Sequence, residues 1–333
     1  MRGGNKVQIK NSALKILDAA ISSKSSDIYF LPYKGGYEIK FFASGKYYLY
    51  IHLSFEEADK CINYFKFKAN MNISEKRRPQ LGAWRYAVDS KVVNCRFSSV
   101  GNFMLKESLV IRLIYQIDDL EKQRYFIPSQ WKKIEKTCLK RGLILFSGPT
   151  GSGKTTSMYE LIKKYSEKQI LCIEDPVEIF QPNVLQLQVN EDAGITYEHL
   201  AKVALRHHPE ILVIGEIRDC FTAKIVIQAA LSGHLVLSTV HASDANGVVA
   251  RLLNLGVNEV DLSQTLKMVN YQRLISDTNN EIKVLFDQID FDETTLEECL
   301  NQKNISKEWQ SNLEKFKEES KISTETFQKY YWG

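Results

Sequence analysis

A glycine-rich stretch, Gly148-Pro149-Thr150-Gly151-Ser152-Gly153-Lys154-Thr155 with Thr156 behind it, opens one residue after the apolar run Leu143-Ile144-Leu145-Phe146. Few features restrict a fold so strongly. The spacing Gly-x-x-x-x-Gly-Lys-Thr needs a buried strand before it and a helix after it. Its glycines let backbone N–H groups turn inward around phosphates, and the helix adds its positive end. Lys154 then reaches the outer phosphates of a nucleoside triphosphate, and the Thr155 hydroxyl ligates Mg²⁺. The expected ligands are therefore ATP and Mg²⁺, held by residues 148 to 156.

The surrounding pattern agrees with that context. Gly142–Ser147 reads as a buried strand, and the helix after the loop runs to about Tyr165. Ile170–Ile173, Ile211–Ile214 and Leu235–Thr239 are short apolar runs typical of parallel sheets. Helices fill the gaps, including one over Trp131–Arg141. This is a doubly wound α/β domain, whose ligands sit at the carboxyl ends of the strands. Two acidic clusters fall at such ends. Glu174-Asp175-Pro176-Val177-Glu178 follows the second strand, and Glu216 follows the third. Carboxylates there can hold Mg²⁺ through water or orient an attacking water. Singly, each also fits a solvated loop. His234 and His241 flank the fourth strand. They could sense a γ-phosphate or link the acidic groups, or serve as hydrogen-bonded core residues.

The first 115 residues read differently. Asn11/Ser12 precede a short amphipathic helix over Leu14–Ile21. Strand-like runs follow at Asp27–Leu31, Tyr37–Ala43 and Lys46–Ile51, with Ser44-Gly45 as a tight hairpin. Ser54 caps a helix through about Ala69, with Glu56 and Glu57 in its first turn. Further strands are expected at Gly82–Asp89, Lys91–Ser98 and Leu109–Tyr115. The result is a small α+β sandwich. Residues 116–128 read as a linker, 129–275 as the nucleotide domain and 276–333 as a helical tail. In that tail Ile305, Trp309, Leu313 and Phe316 fall at helical spacing, a stripe that suits local packing.

Composition sets limits. The 333 residues carry a net charge of +4, too little to argue for nucleic acid. From Ser276 onward 13 acidic residues face 7 lysines, so the tail is −6 and the rest about +10. A mildly basic body suits an acidic partner, an anionic membrane surface or plain solvent. The six cysteines lie at least 34 residues apart, which gives no Cys-x-x-Cys knuckle and suits reduced core residues. The first residues, MRGGNKVQIKNSALK, lack an apolar core of signal-peptide length. No run approaches the roughly 20 apolar residues of a membrane span.

Together these residues resemble the secretion ATPases of type II secretion, type IV pili and DNA-uptake pili. Four boxes stand in that family's order: GPTGSGKTT (148–156), IEDPVE (173–178), HPEILVIGEIRD (208–219) and SGHLVLSTVHASDA (232–245). SSDIYFLP (25–32), EKRRPQLG (75–82) and GVNEVDLSQTLKMVNYQRLI (256–275) resemble further family segments, so the likeness covers about residues 11 to 275. The compact form, with CRFSSV and LQLQVN, is closest to the competence-type ATPases of Gram-positive bacteria. These drive assembly of the pilus that captures external DNA.

The resemblance implies a RecA-like P-loop ATPase domain preceded by a small α+β, PAS-like domain. It implies that Glu178 activates water and that Glu216 is the Walker B glutamate supporting Mg²⁺ through water. His234 and His241 match the two box histidines. Arg96 and Arg112 match arginines that reach the γ-phosphate as arginine fingers; without the resemblance they read as exposed strand arginines. Arg206 matches another arginine of the third box, or a helix-end cation. A homo-hexamer working on a membrane platform protein is implied, in the cytoplasm and peripheral to the inner face of the membrane. Neither direct nucleic-acid binding nor zinc is expected. Some features depart from the family: His208-Pro209-Glu210 replaces its Asp-Pro-Asp, Arg96 to Arg112 is one residue longer, and no AIRNLIRE-like segment occurs. The alternatives are a pilus-retraction or type II secretion motor of the same family, a RecA-like ATPase acting directly on DNA, or a nucleotide-gated scaffold. The DNA-acting reading needs a basic, aromatic-laced groove, and none stands out.

Overall fold

The structure is a computed structural model that describes residues 3–43, 46–88, 91–115, 123–190, 193–301 and 305–333, with the side chains of 3–11 and of Lys91 left aside. The chain divides into two compact units, Met1–Leu120 and Glu121–Gly333.

The first unit runs α1 (Gly3–Ser22), β1 (Asp27–Tyr33), β2 (Gly36–Ala43), β3 (Lys46–Leu53), α2 (Phe55–Lys68), β4 (Gln80–Val88), β5 (Lys91–Gly101) and β6 (Glu107–Ile114). Its six strands form an antiparallel sheet in the order β3-β2-β1-β6-β5-β4. Leu17 and Ala20 of α1 and Ile62 and Phe65 of α2 are buried with Phe30, Ile39, Phe97 and Ile111 of the sheet. Both helices thus cover one face. Ser54 starts α2 through a capping box: its hydroxyl accepts from the Glu57 N–H, and the Glu57 carboxylate accepts from the Ser54 N–H at 3.0 Å. α1 begins earlier than Asn11/Ser12 implied; both residues lie inside it, where they lower helix propensity only modestly. Ala43 pairs with Lys46 across the β2–β3 connection, while Ser44-Gly45 themselves lie outside the described residues.

The second unit contains β7 (Arg124–Tyr125), α3 (Pro128–Thr137), β8 (Gly142–Ser147), α4 (Lys154–Lys163), β9 (Ile170–Glu174), β10 (Leu185–Gln188), α5 (Tyr197–Arg206), β11 (Ile211–Ile217), α6 (Cys220–Leu231), β12 (Leu235–Val240), α7 (Ala245–Asn254), α8 (Glu259–Thr265), β13 (Leu266–Ser276), β14 (Ile282–Asp290), α9 (Leu296–Asn301), α10 (Lys307–Glu318) and α11 (Thr324–Tyr330). The sheet order is β10-β9-β11-β12-β8-β13-β14-β7. From β10 to β13 every neighbouring pair is parallel, so six carboxyl ends share one edge. β8, β9 and β12 are buried along their whole length, as suits their mainly apolar sequences.

In the second unit several boundaries differ from the sequence reading. α3 starts at Pro128, whose fixed φ suits a first helical turn, and ends at Thr137 rather than Arg141. Residues 123–128, placed in a linker, belong to the second unit: β7 pairs with β14, and the Phe126 N–H donates to Val284 O at 3.0 Å; residues 116–122 lie outside the described residues. The segment after Ser276 is not purely helical. β14 pairs antiparallel with β13 from Ile282 to Asp290 and extends the sheet before α9–α11 begin. The helical stripe of α10 packs locally. Trp309 is fully buried against Tyr271 with ring centroids 6.1 Å apart, and Phe316 stacks on Phe126 at 4.8 Å. All six cysteines are free and all but Cys220 are buried.

Candidate active site

The phosphate loop joins the carboxyl end of β8 to α4. Two of its glycines are required by geometry. Gly148 has φ 139°, and a Cβ there would stand 2.5 Å from the Gln272 carbonyl oxygen. Gly153 has φ 84°, and a Cβ would stand 2.6 Å from Gln123 Nε2. Gly153 also serves as the N-cap of α4 and offers no side chain to the first-turn N–H groups. Those donors, with the positive end of the helix, are left for an anion. Lys154 curls over the loop, its Nζ donating to Gly148 O at 2.8 Å and Pro149 O at 3.0 Å. Burial holds its ammonium below the usual lysine range, while Glu216 and Glu178 pull the other way.

The loop is braced by residues that the sequence did not single out. Gln272 of β13 donates to Ser152 O at 2.6 Å. Gln123 donates to Gly153 O at 3.2 Å and accepts from the Ser157 hydroxyl at 2.7 Å. A glutamine among the apolar residues of β13 was the available signal for Gln272. Gln123 had none, since it precedes β7 in a polar stretch.

Acidic groups gather at the same edge. The Thr155 hydroxyl donates to Glu178 Oε2 at 3.1 Å. β11 loses register with β12 between Ile214 and Ile217, so Gly215 and Glu216 leave the ladder, a bulge that re-aims the Glu216 side chain. Thr239 Oγ1 donates to Gly215 O at 2.8 Å and secures that irregularity. Glu216 accepts from Arg218 Nε at 2.9 Å and lies 3.4 Å from His241 Nε2. Arg218, also unnoticed in the sequence, donates to Asp175 O at 3.2 Å and so ties the second acidic box to the first. Its hydrogen bond to Glu216 raises the guanidinium above its ordinary value. Asp219 caps α6 by accepting from Thr222 N at 2.8 Å and Phe221 N at 3.0 Å, and the Thr222 N–H foremost holds its carboxyl low. Glu174 is buried and hydrogen-bonded by the Tyr159 hydroxyl; burial pushes it up to about 7.

Other sequence candidates lie elsewhere. His234 precedes β12 at the amino edge of the sheet, where its Nδ1 is 3.1 Å from Ala229 O. The six residues of β12 separate it from the phosphate-loop edge by roughly 20 Å. The two box histidines therefore stand at opposite ends of one strand. Arg206 is exposed at the end of α5, ahead of the amino end of β11. Arg96 and Arg112 belong to the first unit and face each other across β5 and β6. Their strand neighbours Cys95, Phe97, Ile111 and Leu113 are buried under the helices, so both arginines take the opposite face. Arg112 donates to Asp27 Oδ1 at 2.9 Å.

A model of the family described as type II/IV secretion system protein matches residues 4–320. The chain is 46% identical over 268 residues to the competence protein ComGA of Streptococcus pneumoniae, covering 80% of this chain and 85% of that one. It is 37% identical over 272 residues to the competence protein ComGA of Bacillus subtilis, covering 80% and 76%. Among solved structures, the Legionella pneumophila ATPase DotB is similar with a TM-score of 0.74 at 19% identity, over 94% of this chain and 93% of that one. At that identity the likeness concerns the fold.

Proposed function

We propose, from the premise that this chain belongs to the type II/IV secretion system protein family, that it is the ATP-hydrolysing motor that assembles a competence pilus for DNA uptake. The competence relatives, matched over most of their own length, support the pilus assignment. The observation that carries the chemistry is the gathering of Lys154, Thr155, Glu178, Glu216 and His241 at one edge of the parallel sheet. A site for binding alone needs the loop and its lysine. Two carboxylates and a histidine beside them supply the means to activate water.

In this reading residues 148–156 hold the phosphates of ATP, and the second unit is a RecA-like P-loop domain behind a PAS-like first unit. The oxygen donors Thr155, Glu178 and Glu216 suit a hard cation, and Thr155 would hold Mg²⁺, with Glu216 supporting it through water. Mg²⁺, when bound, disperses the charge of the outer phosphates. Glu178 accepts the proton of the attacking water. His241 and Arg218 orient Glu216. Arg96 and Arg112 act as arginine fingers, and His234 serves outside the hydrolytic centre of its own chain.

The motor is a homo-hexamer closed head to tail, working on a membrane platform protein at the inner face of the membrane. No described helix is long and apolar enough to cross a membrane. Deleting the protein and scoring surface pili together with DNA uptake tests the assignment. Assembly predicts loss of both. Long static pili would identify a retraction motor instead.

A further inference from the structure

The carboxylate assigned to water activation sits on an irregular segment between β9 and β10. Such a segment cannot hold a side chain to catalytic tolerance by ladder hydrogen bonds, and something else must fix it. Tyr159 lies on α4, one turn beyond Lys154 and Thr155, and is fully buried. Its hydroxyl donates to Glu174 at the end of β9 and accepts from Gln186 Nε2 at 2.6 Å. The same Gln186 amide nitrogen lies 2.8 Å from Ile179 O, next to Glu178, and 3.2 Å from Glu174 Oε1. Its oxygen accepts from Gln181 N at 2.9 Å. One β10 side chain therefore grips the backbone just beyond Glu178 and ties it to the helix that carries the phosphate-binding lysine.

We propose that Gln186 and Tyr159 are positioning residues for Glu178, forming a clasp that locks the 175–181 segment to the phosphate-loop helix; the proposal rests on Glu178 being the water-activating group. Glu174 is the fixed centre of the clasp. A Cβ on Gly215 would approach its Cγ to 3.2 Å, so β11 leaves the Glu174 side chain little room to shift. Burial favours its protonated form, and the hydrogen bonds donated by Tyr159 and Gln186 pull the other way. Ordinary satisfaction of buried polar groups would need only ladder or water partners. Here the bonds converge on the two backbone groups that flank residue 180. A misplacement near 1 Å can lower a rate by about 10²-fold, so such a clasp acts on turnover rather than on binding.

Steady-state ATPase assays on the purified full chain test this. Gln186→Ala and the nearly isosteric Tyr159→Phe are each expected to lower kcat by about ten-fold or more, with the KM for ATP and the Kd of a fluorescent ADP analogue within about two-fold of wild type. Combined with Glu178→Gln, neither should reduce the residual turnover further, because the group they position is gone. Tyr159→Phe with near wild-type kcat, beside an inactive Glu178→Gln, overturns the clasp and leaves the site assignment standing. Additive losses in the double variants overturn it too, since they indicate a general effect on the fold. An active Glu178→Gln overturns the assignment on which the clasp depends.

Discussion

The two ends of β12 carry chemically identical side chains with different surroundings. His241, just past the carboxyl end, lies 3.4 Å from Glu216, within the group that surrounds the phosphate loop. His234, just before the amino end, is 3.1 Å from a helix-end carbonyl. Nothing in the residue type separates them; position on the sheet does. At the carboxyl edge, parallel strands end in loops that are free to converge on a ligand, and α4 presents its unpaired N–H groups there. At the amino edge the chain is returning from helices, and its polar groups close those helix ends. A histidine at that edge lies beside a helix-end carbonyl, whereas at the other it faces the acidic groups beside the phosphate loop.

That contrast can be broken by substitution. The largest effect is expected for Lys154→Ala, which removes the buried cation of the carboxyl edge and should lower ATP turnover by about 10³-fold. Next comes the buried carboxyl of the same edge. Glu174 is pushed from 4.5 up to about 7, so the folded state binds its proton more tightly than the unfolded chain does. Its contribution to stability is therefore full below pH 4.5 and is lost as pH rises through about 7, a change on the order of 3 kcal/mol. Glu174→Gln should flatten that part of the stability profile, as read by denaturant unfolding between pH 4.5 and 8. His241→Ala should lower kcat by about ten-fold, in the range for a group that orients a catalytic carboxylate. His234→Ala should stay within about three-fold of wild type, since its ring nitrogen lies beside Ala229 O at the far edge, away from the phosphate loop. A His234 variant as impaired as the His241 variant would show that the amino edge also takes part in turnover.

Much of the carboxyl edge was legible because its signals are local. The loop, its lysine and the following helix lie within one short stretch, and the two acidic boxes directly follow apolar runs. β8 has the bounds Gly142–Ser147 that the sequence reading gave it. What escaped was built from residues distant in sequence. β13 interrupts its apolar pattern with Asn270 and Gln272, which look unsuited to a buried strand. Both are fully buried because loop and strand carbonyls receive them, Ser152 O from Gln272 and Leu145 O from Asn270. β14 then went unread because its strand partner had not been recognised. Gln123 and Arg218 gave no periodic signal, and only the folded chain brings the first to Gly153 and the second to Asp175. In the first unit the strand-like runs and the Ser54 cap were plain, whereas the extent of α1 was not, since Asn and Ser serve both as caps and as tolerated helix residues.

The proposed hydrolysis depends most on Glu178. The decisive measurement is ATP turnover by purified Glu178→Gln, with nucleotide affinity measured on the same sample. Nucleotide binding close to wild type with turnover reduced about 10²-fold or more is the predicted result. Turnover within a few-fold of wild type would contradict the account, for the carboxyl edge would then bind the triphosphate without Glu178 activating the water.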